Sequence, residues 1–112
     1  MTDFPVFTAD GDTSWTDAGH GVRRKIVAHA PAVMMVRFRF ETGGIGQPHS
    51  HLHVQTSLVM SGRFELTIGG ETRVLGPGDS YMVPSGVVHS ARALLGGELV
   101  DAFTPMREDF LP

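Results

Sequence analysis

Residues 43–62 read GGIGQPHSHLHVQTSLVMSG, and their reading decides the fold. His49, His51, His53 and Gln55 occupy alternate positions at the centre of this stretch. In an extended strand, side chains two residues apart project from one face, so all four are expected to point the same way. Imidazole is the commonest metal-binding side chain, and it binds through a neutral ring nitrogen. Half of the six histidines fall within five residues here. Any one of them alone would be better read as part of a polar patch. The combination points to a divalent metal ion.

A complete set of donors needs a contribution from elsewhere in the chain, and His89 is the natural candidate. It closes the segment GDSYMVPSGVVH, residues 78–89. The two stretches together read G-x5-H-x-H-x3-Q-x6-G and then G-x5-P-x-G-x2-H. This two-part pattern resembles the signature of the cupin superfamily. The resemblance implies one metal ion held by His49, His51, Gln55 and His89, with positions left for water or substrate. Two residues depart from the usual pattern: Gln55 stands where a glutamate is usual, and Ala93 where an asparagine is usual. Gln55 coordinates through its amide oxygen but brings no negative charge. The cation then keeps its full charge and is a stronger electrophile toward a substrate oxygen. Nitrogen and oxygen donors suit nickel, manganese, iron or zinc alike. His53 has the right parity but lies outside the ligand spacing, which makes it a pocket-lining residue. His20 and His29 match no pattern and are expected at the surface.

The chain of 112 residues is long enough for one core and too short for two. Its 41% hydrophobic and 19% charged residues are those of a soluble globular protein. Fourteen glycines and seven prolines favour short strands joined by tight turns over a helix bundle. A formal net charge of −3 gives no electrostatic attraction to nucleic acid or to an anionic membrane. With no cysteine there is no disulfide, thiolate site or cysteine nucleophile. The first fifteen residues, MTDFPVFTADGDTSW, lack the apolar run of a secretory signal, and no stretch reaches the length of a membrane span. The expected location is the cytoplasm.

Residues 1–20 read as an N-terminal arm whose Phe4, Val6, Phe7 and Trp15 cap one end of the fold or reach a partner subunit. Residues 21–112 read as the barrel domain. Arg23, Arg24 and Lys25 form an expected solvated edge; one of the three can turn inward toward an anionic ligand, but spacing does not choose which. In residues 32–42 the alternation puts Met34, Val36, Phe38 and Phe40 on one face and Met35, Arg37 and Arg39 on the other. Gly69-Gly70 is a two-residue hairpin loop, and Ser61-Gly62 and Gly78-Asp79 read as turns. Roughly eight to ten strands follow one another with turn signals between them, the pattern of a small sandwich or barrel. The expected fold is all-β, a single-domain jelly-roll barrel as the cupin resemblance also implies. The apolar arm and the alternating strand over residues 32–42 offer more surface than one small barrel buries, which points to a homodimer.

In the last strand, Asp101 and Phe103 share parity, and Arg107 follows in LVDAFTPMREDFLP. An inward carboxylate is costly unless paired or functional. Spacing alone leaves two readings open: an ion pair between Asp101 and an arginine with Phe103 in the core, or a reactive group. The segments GVRRKI, HSHLHVQ, FELTIGGE, PSGVVH and DAFTPMREDF together resemble the KdgF-type cupins of pectin and alginate degradation. Leu52 stands where a proline is frequent in that family. The resemblance implies an active site formed by Asp101, Phe103 and Arg107 around the metal. It also implies conversion of 4,5-unsaturated monouronates, a sugar-acid substrate, into linear keto acids. In this scheme Arg107 clamps the carboxylate, Asp101 moves the proton and Phe103 holds the sugar ring. Two other readings stand beside it: a metal-dependent dioxygenase, and a non-catalytic cupin that binds a sugar or small acid.

Overall fold

The computed structural model describes residues 4–112. Ten strands make up the fold: β1 (Thr16–Gly19), β2 (Val22–Ala30), β3 (Val33–Phe40), β4 (Ile45–His49), β5 (Val54–Val59), β6 (Arg63–Ile68), β7 (Glu71–Leu75), β8 (Ser80–Val83), β9 (His89–Leu95) and β10 (Gly97–Thr104). Two antiparallel sheets form, one with the order β1-β2-β3-β10-β5-β8 and one with the order β4-β9-β6-β7. They enclose the core as a jelly roll, the architecture expected from the sequence.

The alternation in β3 does what its sequence dictates. Met34, Val36 and Phe40 are buried, Phe38 packs against the core, and Met35 and Arg39 face outward. Phe40 meets Phe64 edge to face at 5.1 Å, and Val22, Val59, Leu66, Ala93 and Leu99 complete this apolar cluster. Phe103 packs with Met34 and Val36 in a second cluster, against which Phe110 leans. A 3-10 turn at Glu108–Phe110 closes the tail.

Three expectations are corrected. Residues 49–55 are not one strand: β4 ends at His49 in the four-stranded sheet, and β5 begins at Val54 in the six-stranded one. A segment that changes sheets cannot hydrogen-bond to both as a continuous strand, so residues 50–53 leave extended pairing. Lys25 is not on a solvated edge. It is 4% exposed, its ammonium lies 2.9 Å from the Asp10 carboxylate, and Trp15 stands 5.6 Å away. The N-terminal segment thus lies over the outer face of β2 and β3, where Asp10 also pairs with Arg37 at 2.8 Å. His29 is half-buried rather than superficial, with its ring 5.3 Å from that of Phe4. Among the described residues, no helix is long and apolar enough to cross a membrane.

Two turns require glycine, for different reasons. Gly69 and Gly70 take φ of 57° and 85°, which suits the twist of the β6–β7 hairpin. Gly62 takes φ of 83° and is also pressed against the backbone, where a Cβ would stand 2.6 Å from the Leu95 carbonyl oxygen. At Gly70 a Cβ would meet nothing within 4 Å. Both alanine variants carry the backbone strain, about 1–3 kcal/mol each, but only Gly62→Ala also collides with its neighbours. Urea unfolding is expected to show Gly62→Ala as clearly the less stable of the two.

Candidate metal centre and catalytic pocket

His49 ends β4 and His89 opens β9, and the two pair directly across the four-stranded sheet. Their ring centroids are 4.2 Å apart. His51 sits in the crossing segment, 4.8 Å from His89 and 5.6 Å from His49 by the same measure. What brings it there is the turn Pro84-Ser85-Gly86-Val87. Val87 N–H donates to the Pro84 carbonyl, Gly86 adopts φ of 78°, and the Gly86 N–H then donates to the His51 carbonyl at 2.8 Å. The two halves of the sequence pattern are tied together by that bond. One potential ligand atom from each of His49, His51 and His89 lies within 4.8 Å of the others.

Backbone carbonyls select the tautomer of each ring. Nδ1 of His49 lies 2.8 Å from the Gln47 oxygen, that of His51 3.0 Å from the His53 oxygen, and that of His89 3.0 Å from the Val87 oxygen. A carbonyl oxygen only accepts, so each Nδ1 carries the proton, and in the neutral ring Nε2 presents a lone pair. Burial pushes His89 down to about 4; burial first, and the Arg107 charge next, lower His51. Both rings are therefore neutral at pH 7. His89 Nε2 is buried without a hydrogen-bond partner. Gln55 sharpens the picture: its amide nitrogen donates to Ser57 Oγ at 3.0 Å and Asp101 Oδ2 at 3.1 Å. Its amide oxygen is thereby turned toward His51 Nε2, 3.1 Å away. Two facing lone pairs repel unless a cation or a proton lies between them. An orphaned nitrogen lone pair beside an opposed nitrogen–oxygen pair fits a divalent ion with neutral donors.

His53 does not join the cluster. Its Nε2 donates to the Met106 carbonyl at 3.1 Å, which ties down the segment leading to Arg107. Ala93, where asparagine is usual, is 1% exposed and belongs to the apolar core around Phe64.

The six-stranded sheet supplies the other wall. Asp101 and Phe103 of β10 stand directly opposite Ser57 and Gln55 of β5. The ion pair weighed from the sequence for Asp101 does not form: Arg107 pairs with Asp109, its Nε and Nη2 donating at 3.0 and 2.8 Å. Asp101 Oδ1 is buried and has no partner. Burial pushes the Asp101 carboxyl up to about 7, against the lowering influence of the Ser57 hydroxyl and the Arg107 charge. Burial and the Asp101 charge also raise Tyr81. Phe103 is 1% exposed and sets its edge against His51 at 5.6 Å. The Arg107 guanidinium lies over both Phe103 and Phe110, at 5.1 and 4.1 Å.

Asp101, Phe103, Arg107, Gln55, His49 and His89 all face one cavity of about 290 Å³ between the sheets. Arg24 of β2 also lines it, which answers which of the three neighbouring cations turns inward. Tyr81 and Phe110 line it too. Sequence reasoning missed both, as it missed Ser57 and Asp109. Ser57 was readable as the next alternate position after Gln55, and Asp109 as a carboxylate two residues from Arg107. Tyr81 carries no distinguishing signal.

The family model for the cupin domain matches residues 36–99. Over 104 residues the chain is 42% identical to the pectin degradation protein KdgF of Dickeya dadantii, covering 91% of this chain and 94% of that protein. The chain belongs to the cupin family, among its KdgF-type members. Solved cupins superpose closely. An RmlC-like cupin from Shewanella frigidimarina gives a TM-score of 0.92 at 37% identity, over 96% of each chain. KdgF from Halomonas sp. gives 0.89 at 39% identity, over 96% of this cupin and 99% of that chain. These two solved cupins share the fold and more than a third of their residues with this chain.

The carbonyl contacts make a prediction about protons. In metal-free protein at neutral pH, long-range ¹H–¹⁵N spectra are expected to show His49, His51 and His89 as Nδ1–H tautomers and His53 as Nε2–H. An Nε2–H tautomer at His89 would contradict the geometry.

Proposed function

We propose that this cupin holds one divalent ion through His49, His51, Gln55 and His89 and uses the adjoining pocket to open and ketonise 4,5-unsaturated monouronates. The observation that carries the reading is the buried, unpartnered Oδ1 of Asp101, placed in the same cavity as the histidine cluster. The likeness to a relative named for pectin degradation supports a sugar acid as the substrate.

A bound divalent ion supplies Lewis-acid polarisation of a substrate oxygen. The residues of the chain do the rest. In a hemiacetal ring with a double bond between C4 and C5, loss of the C1 hydroxyl proton breaks the bond from C1 to the ring oxygen. C1 becomes an aldehyde and C5 an enolate. Protonation at C4 then makes C5 a ketone. The proton lost at the C1 hydroxyl is matched by the one gained at C4, so the conversion is an isomerisation and needs no oxidant. Asp101 Oδ1 is the group that moves this proton, and a carboxyl held near 7 exchanges it readily at neutral pH. Phe103 forms an apolar wall for the ring. Asp109 occupies the Nε and Nη2 edge of Arg107, so Arg107 uses its Nη1 end toward the substrate carboxylate.

Metal-loaded protein is expected to consume unsaturated monouronates, followed as loss of their conjugated ultraviolet absorbance. Asp101→Asn keeps the shape but cannot shuttle the proton, so its rate should fall ~10²-fold or more with the metal still bound. The double variant His49→Ala/His51→Ala should bind no stoichiometric metal and be inactive. Wild-type protein that leaves these uronates untouched, or an Asp101→Asn rate equal to wild type, would sink the mechanism.

The outer face of the six-stranded sheet supports a homodimer. Met35, Ala102, Thr56 and Met82 lie in one cross-strand row, with Val100 and Leu58 in the next. Met35 is 43% exposed, Leu58 41% and Met82 52%. These exposed apolar residues, with Arg37 and Ser80 at the ends of the second row, give a face that a second copy would cover about a two-fold axis. Light scattering is expected to give twice the mass of one chain, and Leu58→Lys/Met82→Lys to give a folded monomer. A monomeric wild type at tens of micromolar would refute the assembly.

A further inference from the structure

Six of the nine lysines and arginines are paired. Lys25, Arg37, Arg39, Arg73, Arg92 and Arg107 each reach a carboxylate. Among the described residues Arg23, Arg24 and Arg63 do not. Arg23 and Arg63 are exposed, where water solvates them. Arg24 is different: it is half-buried and lines the cavity that holds Asp101 and the histidine cluster. Its guanidinium lies over the Phe110 ring at 4.3 Å. Stacking engages the face of a guanidinium and leaves the N–H donors of its edge unused. A half-buried cation with idle donors is costly unless an anion meets it.

A second arginine shares this end of the pocket. Arg107 lies over the same Phe110 ring at 4.1 Å, so both guanidiniums are gathered at one end of the pocket. Arg107 is neutralised by its two bonds to Asp109. It can lend a hydrogen bond, but it adds little net charge. The uncompensated positive charge facing the cavity at that end therefore belongs to Arg24. Across the pocket stand Asp101 and the histidine cluster that would hold the ion, so Arg24 supplies the charge at the opposite, Phe110 end.

The geometry points to Arg24 as the residue that selects a carboxylate-bearing sugar. It supplies the charge for the carboxylate, while Arg107 supplies direction. This assignment rests on the uronate reading of the pocket. With the carboxylate held at the Phe110 end, the sugar ring extends along Phe103 toward Asp101 and the histidine cluster. A neutral sugar of the same shape leaves Arg24 unsatisfied and is rejected.

The test separates this role from catalysis by using a ligand that cannot react. Metal-loaded protein is titrated calorimetrically with galacturonate and with its methyl ester, which has the same ring without the charge. Wild type is expected to prefer the acid. In Arg24→Gln, acid affinity is expected to fall roughly 10- to 100-fold, the effect of losing a charge-assisted hydrogen bond, while ester affinity stays unchanged. Arg24→Lys should restore part of the preference, and metal content should match wild type in both variants. With the unsaturated uronate, Arg24→Gln should raise KM and leave kcat nearly unaltered. Equal losses for acid and ester would mean that Arg24 only props up Phe110, and the assignment would fall. It would fall equally if wild type bound the acid no better than the ester, or not at all. If the acid preference depends on Arg24 but no unsaturated uronate is consumed, the proposed reaction is lost and the carboxylate site stands.

Discussion

One backbone hydrogen bond, from the Gly86 N–H to the His51 carbonyl, holds the site together. The chain must pass from the four-stranded sheet to the six-stranded sheet between His49 and Val54. A passage of that kind gives up its ladder partners, and its backbone groups need others. The turn ahead of β9 provides one, and in doing so it sets His51 above the pair formed by His49 and His89. The positive φ of Gly86 is what lets the turn present its N–H in that direction. The candidate metal cluster therefore lies where the chain passes between the two sheets, and neither sheet contains it alone.

The polar groups behind the histidines form a second constraint. Gln55, Ser57 and Asp101 are all buried, and they bond to one another across β5 and β10. A buried network is favourable only when its members are satisfied. Here every donor of the Gln55 amide is used, and of the four buried polar atoms without a partner among the described residues, Asp101 Oδ1 and His89 Nε2 belong to residues that line the cavity, while His53 Nδ1 and Thr13 Oγ1 do not. Two of the exceptions thus fall at the cavity that the proposed ion and substrate would occupy. By contrast, the N-terminal segment finds its partners on the outer face of β2 and β3. Asp10 serves both Lys25 and Arg37, and Trp15 stacks under Arg39 at 4.3 Å.

Much of this was legible in the sequence because it is encoded in short-range spacing. The β3 alternation, the Gly69-Gly70 hairpin and the Pro84–His89 turn all follow from local rules of parity and turn chemistry. The convergence of His49, His51 and Gln55 was also legible, though for the wrong reason. Alternate parity assumed one strand, whereas the chain bends between sheets and the residues meet from different directions. Arg24 and Lys25 show the limit most clearly. They are adjacent and chemically alike, yet Arg24 enters the pocket and Lys25 is buried beneath Asp10 on the opposite face. Parity separates their faces but does not say which face is inside, because β2 lacks the clean apolar alternation that marks β3. The pairing of Arg107 with Asp109 was likewise hidden, since a 3-10 turn places residues two apart in contact only once the tail has folded back.

Gln55 in the usual place of a glutamate follows from its neighbour. A metal ligand at this position needs only one oxygen, but here the other end of the side chain must face Asp101 Oδ2 at 3.1 Å. A glutamate would present a second carboxylate to Asp101 in a buried site, and like charges so close raise the pKa of one partner steeply. Asp101 would then be held protonated across the neutral range and lose its use as a proton acceptor. The amide avoids this by donating instead of repelling. It keeps its oxygen toward His51 and steadies the Asp101 carboxylate with its nitrogen. The loss of one negative charge at the metal position and the presence of a buried carboxyl on β10 are therefore two halves of one arrangement. In the proposed reaction the positive charge left on the ion would favour binding of an anionic sugar oxygen, and Asp101 would remain free to exchange the proton.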